Sequence, residues 1–126
     1  MRISRRINST ALVRDLQGGI LSECYVMAIG FKGLTALSEN PLPVGDIVSL
    51  ELVFVTADGG VEGETVMAGV MDCGKRRGAH MVNMVFTEPL SDDQVSPLAA
   101  FIRREMGRVH ESAPEPQSRE AVAGMP

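Results

Sequence analysis

A chain of 126 residues with a formal net charge of −4 is long enough for one domain and too acidic for the broad basic surface of a general nucleic-acid binder, so neither DNA nor RNA is expected as a partner. Hydrophobic residues make up 44% and charged residues 22%, near the globular average, but Trp is absent and aromatics are only 4%, so Val, Leu, Ile and eight Met must fill the core. No apolar run reaches membrane-spanning length, and neither Cys24 nor Cys73 has a second Cys or His at metal-ligand spacing. Both cysteines read as free thiols of a reducing compartment. The basic N-terminus lacks the apolar stretch of a secretory signal, so a cytoplasmic protein without metal or membrane contact is expected.

Residues 1–9 read as an arginine-rich leader. Arg2, Arg5 and Arg6 all precede the first acidic residue, Asp15, which concentrates positive charge at one end of an acidic chain and suits a small anion. Residues 10–109 then read as a single barrel-plus-helix domain. From Thr10 to Phe86, short apolar runs separated by turn residues recur at intervals of about 8 to 12, the spacing of a sandwich or barrel. Thr10 to Leu16, Leu21 to Met27 and Leu34 to Leu37 are the first three candidate strands. Ile47 to Val55 is the clearest, because Val48, Leu50, Leu52 and Phe54 alternate with Ser49 and Glu51. Glu64 to Asp72 and Ala79 to Phe86 complete six, the last with Val82, Met84 and Phe86 on one face.

The punctuation between these runs is consistent with hairpins. Gly18-Gly19 and Asp58-Gly59-Gly60 supply the positive φ angles of tight turns, while Pro41, Pro43 and Gly45 make Asn40 to Asp46 a loop. Gly74 to Gly78 reads as a second loop enclosing Lys75, Arg76 and Arg77 at a solvated hairpin tip. After Ser91 to Val95, expected as a turn, the period becomes helical. Leu98, Phe101, Ile102, Met106 and Val109 mark one apolar face, Pro97 fits the first helical position, and Ser96 fits the N-cap. Arg103, Arg104 and Arg108 fall toward the C-terminal end, where cations suit the helix dipole. Residues 110–126, with Pro114 and Pro116 and little apolar surface, are expected to be a disordered tail beginning at His110. The fold expected is therefore mainly β: a six-stranded antiparallel barrel followed by one C-terminal α-helix.

An arginine-rich segment, a six-stranded barrel and one helix, in that order, resemble the PilZ domain. Arg2-Ile3-Ser4-Arg5-Arg6 fits the family's R-x-x-x-R motif, and Ala28-Ile29-Gly30-Phe31-Lys32-Gly33 falls where D/N-x-S-x-x-G is found, keeping the final glycine. Leu42 to Val48 resembles the family's glycine turn before its long strand, and Val82 to Phe86 its closing strand; the likeness covers about residues 2 to 106. It implies a bacterial second-messenger signalling module that binds cyclic di-GMP and acts on a protein partner, with Arg2, Arg5, Arg6, Ala28, Gly30, Lys32 and Gly33 at the ligand-binding positions.

The ligand's chemistry states what these positions must supply. Two phosphates and two guanines call for arginines that bind in bidentate fashion and stack, for an amide or carboxylate oxygen facing guanine N1 and N2, and for a hydroxyl at a phosphate. Ala28 and Gly30 depart from the motif and supply neither oxygen, while Lys32 offers a point charge inside it. A ligand-independent adaptor for motility or pilus assembly is the alternative. His80 and His110 have no acid or nucleophile partner in the pattern, and no nucleophile motif or phosphate-cradling loop occurs, so an enzyme is not expected, nor any cofactor beyond the nucleotide ligand.

Overall fold

The computed structural model of the protein describes residues 9–90 and 96–112, with the side chains of 108–112 left aside. Six strands close into a barrel: β1 (Ser9–Arg14), β2 (Ile20–Ile29), β3 (Gly33–Ser38), β4 (Ile47–Val55), β5 (Val61–Arg76) and β6 (Ala79–Phe86), followed by the helix α1 (Pro97–Ser112). Around the barrel the order is β1-β2-β3-β6-β5-β4, every pairing antiparallel. Closure removes free sheet edges along the paired lengths, which is how a small all-β domain avoids edge-to-edge association.

Alternation decides which side chains enter the barrel. On β4, Val48, Leu50, Leu52 and Phe54 are buried while Ile47 and Val53 face out, and β6 does the same with Val82, Met84 and Phe86 inside and Val85 outside. Each fully buried side chain of this kind stabilises the fold by about 1.5 to 3 kcal/mol. Small residues complete the interior: Ala11, Ala36 and Ala68 are all buried, which lets a barrel of six strands close around Leu and Phe without overpacking.

The loops follow the turn chemistry. At the β4–β5 hairpin, Gly59 has φ 90°, and the Asp58 carboxylate accepts from the Thr56 hydroxyl and the Gly60 amide, which holds its pKa below the usual carboxylate value. In the loop before β4, Gly45 has φ 94° and its amide donates to Val70 O at 2.8 Å, so the proline-containing segment is stapled to β5. Leu42 anchors the same loop in the core.

The β5–β6 connection differs from expectation. Gly74, Lys75 and Arg76 are not loop but strand, paired with Met81, His80 and Ala79, and the turn is Arg77-Gly78 alone. Both turn residues have positive φ, 51° and 85°, the geometry of a two-residue hairpin whose twist matches the strands it joins. The extra residue Met71 bulges out between Val70 and Asp72 and lets the longer β5 keep register with β6.

The helix starts as the sequence indicates, with the Ser96 hydroxyl accepting from the Ala99 amide at 3.0 Å. Leu98, Phe101 and Ile102 join the core cluster, and the Phe101 ring lies against Phe54 with centroids 5.0 Å apart. Three details correct the sequence reading. The helix runs to Ser112, so His110 is helical rather than the start of a tail; residues 113–126 lie outside the described residues. Met106 is exposed, and Glu105 takes the buried position instead, because 98, 101, 102 and 105 share the stripe that faces the barrel. Arg104 packs its guanidinium over the Phe101 ring at 5.4 Å and donates to Val55 O, tying the helix to the end of β4 rather than serving the helix dipole.

Candidate functional site

The positions singled out by the resemblance lie at one end of the barrel, where β2 turns into β3. A bulge at Met27 lets β2 continue past its expected end, so that Ala28 pairs with Thr35 and Ile29 with Leu34. The chain then reverses through Gly30, Phe31 and Lys32, closed by the Gly30 amide donating to Gly33 O at 2.9 Å. This turn is fixed at two further points: Lys32 O accepts from the Phe86 amide and Phe31 O from the Leu90 amide, both at 2.8 Å. Lys32 is thereby presented to solvent from a rigid turn.

The two glycines have opposite reasons for being glycine. A Cβ on Gly33 would stand 2.1 Å from Met84 O and 3.0 Å from Val85 Cα, so the close approach made here is that of β3 to β6. Gly30 has no atom within 4 Å of a Cβ position and is not among the positive-φ residues, so a larger side chain fits there without strain. Ala28 is exposed on the outer face.

Between these positions is a depression of about 310 Å³, open to solvent, whose lining includes Ala28, Gly30, Gly33, Thr35, Asn83 and Met84. Its lining includes two polar side chains, Thr35 and Asn83, that no linear motif announces. The Thr35 hydroxyl donates to Asn83 Oδ1 at 2.6 Å, and Asn83 Nδ2 donates to Asp72 Oδ1 at 2.9 Å. Cross-strand register explains the row: Ala28 pairs with Thr35, Thr35 with Asn83, and Asn83 with Asp72, so the four side by side cross β2, β3, β6 and β5 on the outside of the barrel. Only knowledge of the strand pairing could have revealed it.

The arginines Arg2, Arg5 and Arg6 lie outside the described residues. Their attachment point does not. Thr10 pairs with Tyr25 and the strands are antiparallel, so the chain enters β1 at the end of β2 that carries Ala28. Lys75, Arg76 and Arg77 are not brought to this place; Arg76 pairs with Ala79 at the far end of β6, whereas Val85 pairs with Gly33. Elsewhere on the outer wall Arg14 and Glu51 form an ion pair at 2.8 Å that ties β1 to β4.

Cys24 does not offer a poised nucleophile in this geometry. Cys24 is buried among core side chains and burial raises its pKa above the ordinary thiol value, against the opposing hydrogen bonds of Ser38 and Ser22. Among the described residues no group of His, Cys, Asp and Glu is arranged to hold a metal ion, and no helix is long and apolar enough to cross a membrane. No family model matches the chain, and no curated protein or solved structure matches it.

Proposed function

We propose that the chain is a PilZ-type signalling module that takes cyclic di-GMP on the outer barrel face beside Ala28–Gly33 and passes the signal to a protein partner in the bacterial cytoplasm. The observation that carries this reading is a coincidence of position: the open depression lies at the barrel end where the arginine-rich leader joins β1. Arg2, Arg5 and Arg6 then supply the cations for phosphate and guanine, with Lys32 on the adjacent turn. Closing of the leader over the ligand changes the surface offered to the partner.

Ala28 and Gly30 set the affinity. A missing bidentate base contact costs about 1 to 3 kcal/mol and a missing hydroxyl contact about 1 kcal/mol, together a weakening of roughly 30-fold to 1,000-fold. Both positions accept the motif residues, Ala28 because it is exposed and Gly30 because its Cβ direction is empty and its φ is not positive. The Ala28→Asp, Gly30→Ser double variant is therefore expected to bind cyclic di-GMP at least about tenfold more tightly than the parent by titration calorimetry. A variant that folds by circular dichroism and gains no affinity would mean that the alignment is displaced or that the pocket has lost more than these two groups, and would make the ligand-independent adaptor the leading reading.

One observation favours a second reading, a ligand-independent adaptor. Ile47, Gly69 and Val85 are neighbours across β4, β5 and β6, and with the exposed Met67 they leave an apolar strip on the outer wall whose middle residue is only a hydrogen. Exposed apolar surface of this kind is a common protein-contact feature.

A further inference from the structure

The β4–β5 hairpin extends past the closed part of the barrel. β5 pairs with β4 from Val61 to Gly69 but with β6 only from Ala68 onward, so from Val61 to Val66 one side of the strand has no partner strand among the described residues. The last tie on that side is Met67 O, which accepts from the Thr87 amide; the chain then leaves for the β2–β3 turn, where the Leu90 amide donates to Phe31 O. Backbone groups alternate in direction along a strand, so Val61, Gly63 and Thr65 turn their amides and carbonyls the same way as Met67, to the open side. The Gly60 carbonyl, which accepts from the Thr56 amide on the β4 side, fixes the same phase from the other end of the strand.

The charge on this edge is of one sign. Glu62 and Glu64 flank Gly63 on one face of the strand, the first exposed and the second half-buried, and neither is ion-paired among the described residues. From Asp46 to Asp72 the sequence holds six carboxylates and no Lys, Arg or His. Arg14 reaches in from β1 but pairs with Glu51, and Arg104 ends on Val55 O. Antiparallel pairing with a second copy about Gly63 would set Glu62 opposite Glu64, which opposes self-association. A strand of opposite charge meets no such barrier. We infer that the free edge of β5, Val61–Val66, is the surface that takes the protein partner, and that the partner adds an extended segment carrying Lys or Arg at alternate positions. Main-chain hydrogen bonds to Gly63 and Thr65 hold that segment, and the glutamates select its sign. The inference gives the partner half of the reading above its surface and chemistry, and it does not require the nucleotide.

The test is a fluorescence-anisotropy titration of the full chain with two short labelled peptides, one alternating lysine with threonine and the other alternating glutamate with threonine, with amide shifts recorded in parallel. The basic peptide is expected to bind about tenfold or more tightly than the acidic one and to shift the amides of Val61, Gly63 and Thr65. The Glu62→Lys, Glu64→Lys variant should reverse that preference. Thr65→Pro removes one outward amide at an edge, where proline is tolerated, and should weaken the basic peptide by about fivefold. A parent that binds neither peptide, or both equally, overturns the inference. So does a parent whose Gly63 and Thr65 amides become protected by a second copy as its concentration rises. None of these outcomes bears on nucleotide binding, which is read at Ala28–Gly33.

Discussion

Phe101→Ala is expected to cost about 3 to 5 kcal/mol of folding stability, a large share of the roughly 5 to 15 kcal/mol that a domain of this kind has. The ring is 1% exposed, stacks against Phe54 with centroids 5.0 Å apart, and carries the Arg104 guanidinium over it. Truncation removes both ring contacts at once and leaves a cavity between the helix and β4. Aromatic residues are only 4% of the chain, so this pair holds an unusual share of the large side chains in the core. Denaturant unfolding followed by circular dichroism measures the loss. A change below about 1 kcal/mol would mean that the helix contributes little to the barrel and docks as an accessory.

Gly33→Ala is expected to cost about 2 to 3 kcal/mol, for a reason that has nothing to do with glycine's flexibility. The added methyl meets the Met84 carbonyl oxygen at 2.1 Å, and neither backbone can move without displacing β3 from β6. Since Thr35 and Asn83 face each other across the same pair of strands, the substitution should also disturb the polar row. Gly30→Ala is the matched comparison, only three residues away but with open space around its Cβ, and should change stability by less than about 0.5 kcal/mol. Thermal unfolding of the two variants side by side separates them. Equal effects would show that the strand approach at Gly33 is not as close as described.

The strands that could be read in the sequence are those whose alternation is uninterrupted. Ile47–Val55 and Ala79–Phe86 have the bounds expected from apolar periodicity, because their inward residues are all large and apolar. The full length of β5 escaped that reading, since Gly63, Gly69 and Gly74 interrupt the pattern and the strand is sustained by pairing with β4 and β6. Residues 74–76 looked like a loop for the same reason, although the positive-φ turn needs only Arg77 and Gly78. The helix start was legible because Ser96 and Pro97 act locally, whereas its end was not, because helix C-termini without a glycine stop carry no comparable signal.

For the candidate site, local motifs point to Ala28–Gly33 but not to what surrounds them. Gly33 keeps the motif glycine, yet the contact that forbids a side chain there is with β6, which sequence spacing does not reveal. Thr35, Asn83 and Asp72 are distant in sequence and meet only through register, so nothing in the order of residues linked them. The leader arginines were visible as a concentration of charge, and the pairing of Thr10 with Tyr25 adds the end of the barrel to which they are attached.

The most direct test of a nucleotide face beside Ala28–Gly33 is an amide chemical-shift titration of the full chain with cyclic di-GMP. Shifts are expected to concentrate on residues 28–35 and Asn83, and on the leader, and to vanish when Arg2, Arg5 and Arg6 are all changed to alanine. The fold itself should be unaffected by those changes, because the barrel core begins at β1. No shifts at saturating nucleotide, or shifts gathered at the Arg77-Gly78 end of the barrel and unchanged in the triple variant, would contradict a cyclic di-GMP site at Ala28–Gly33.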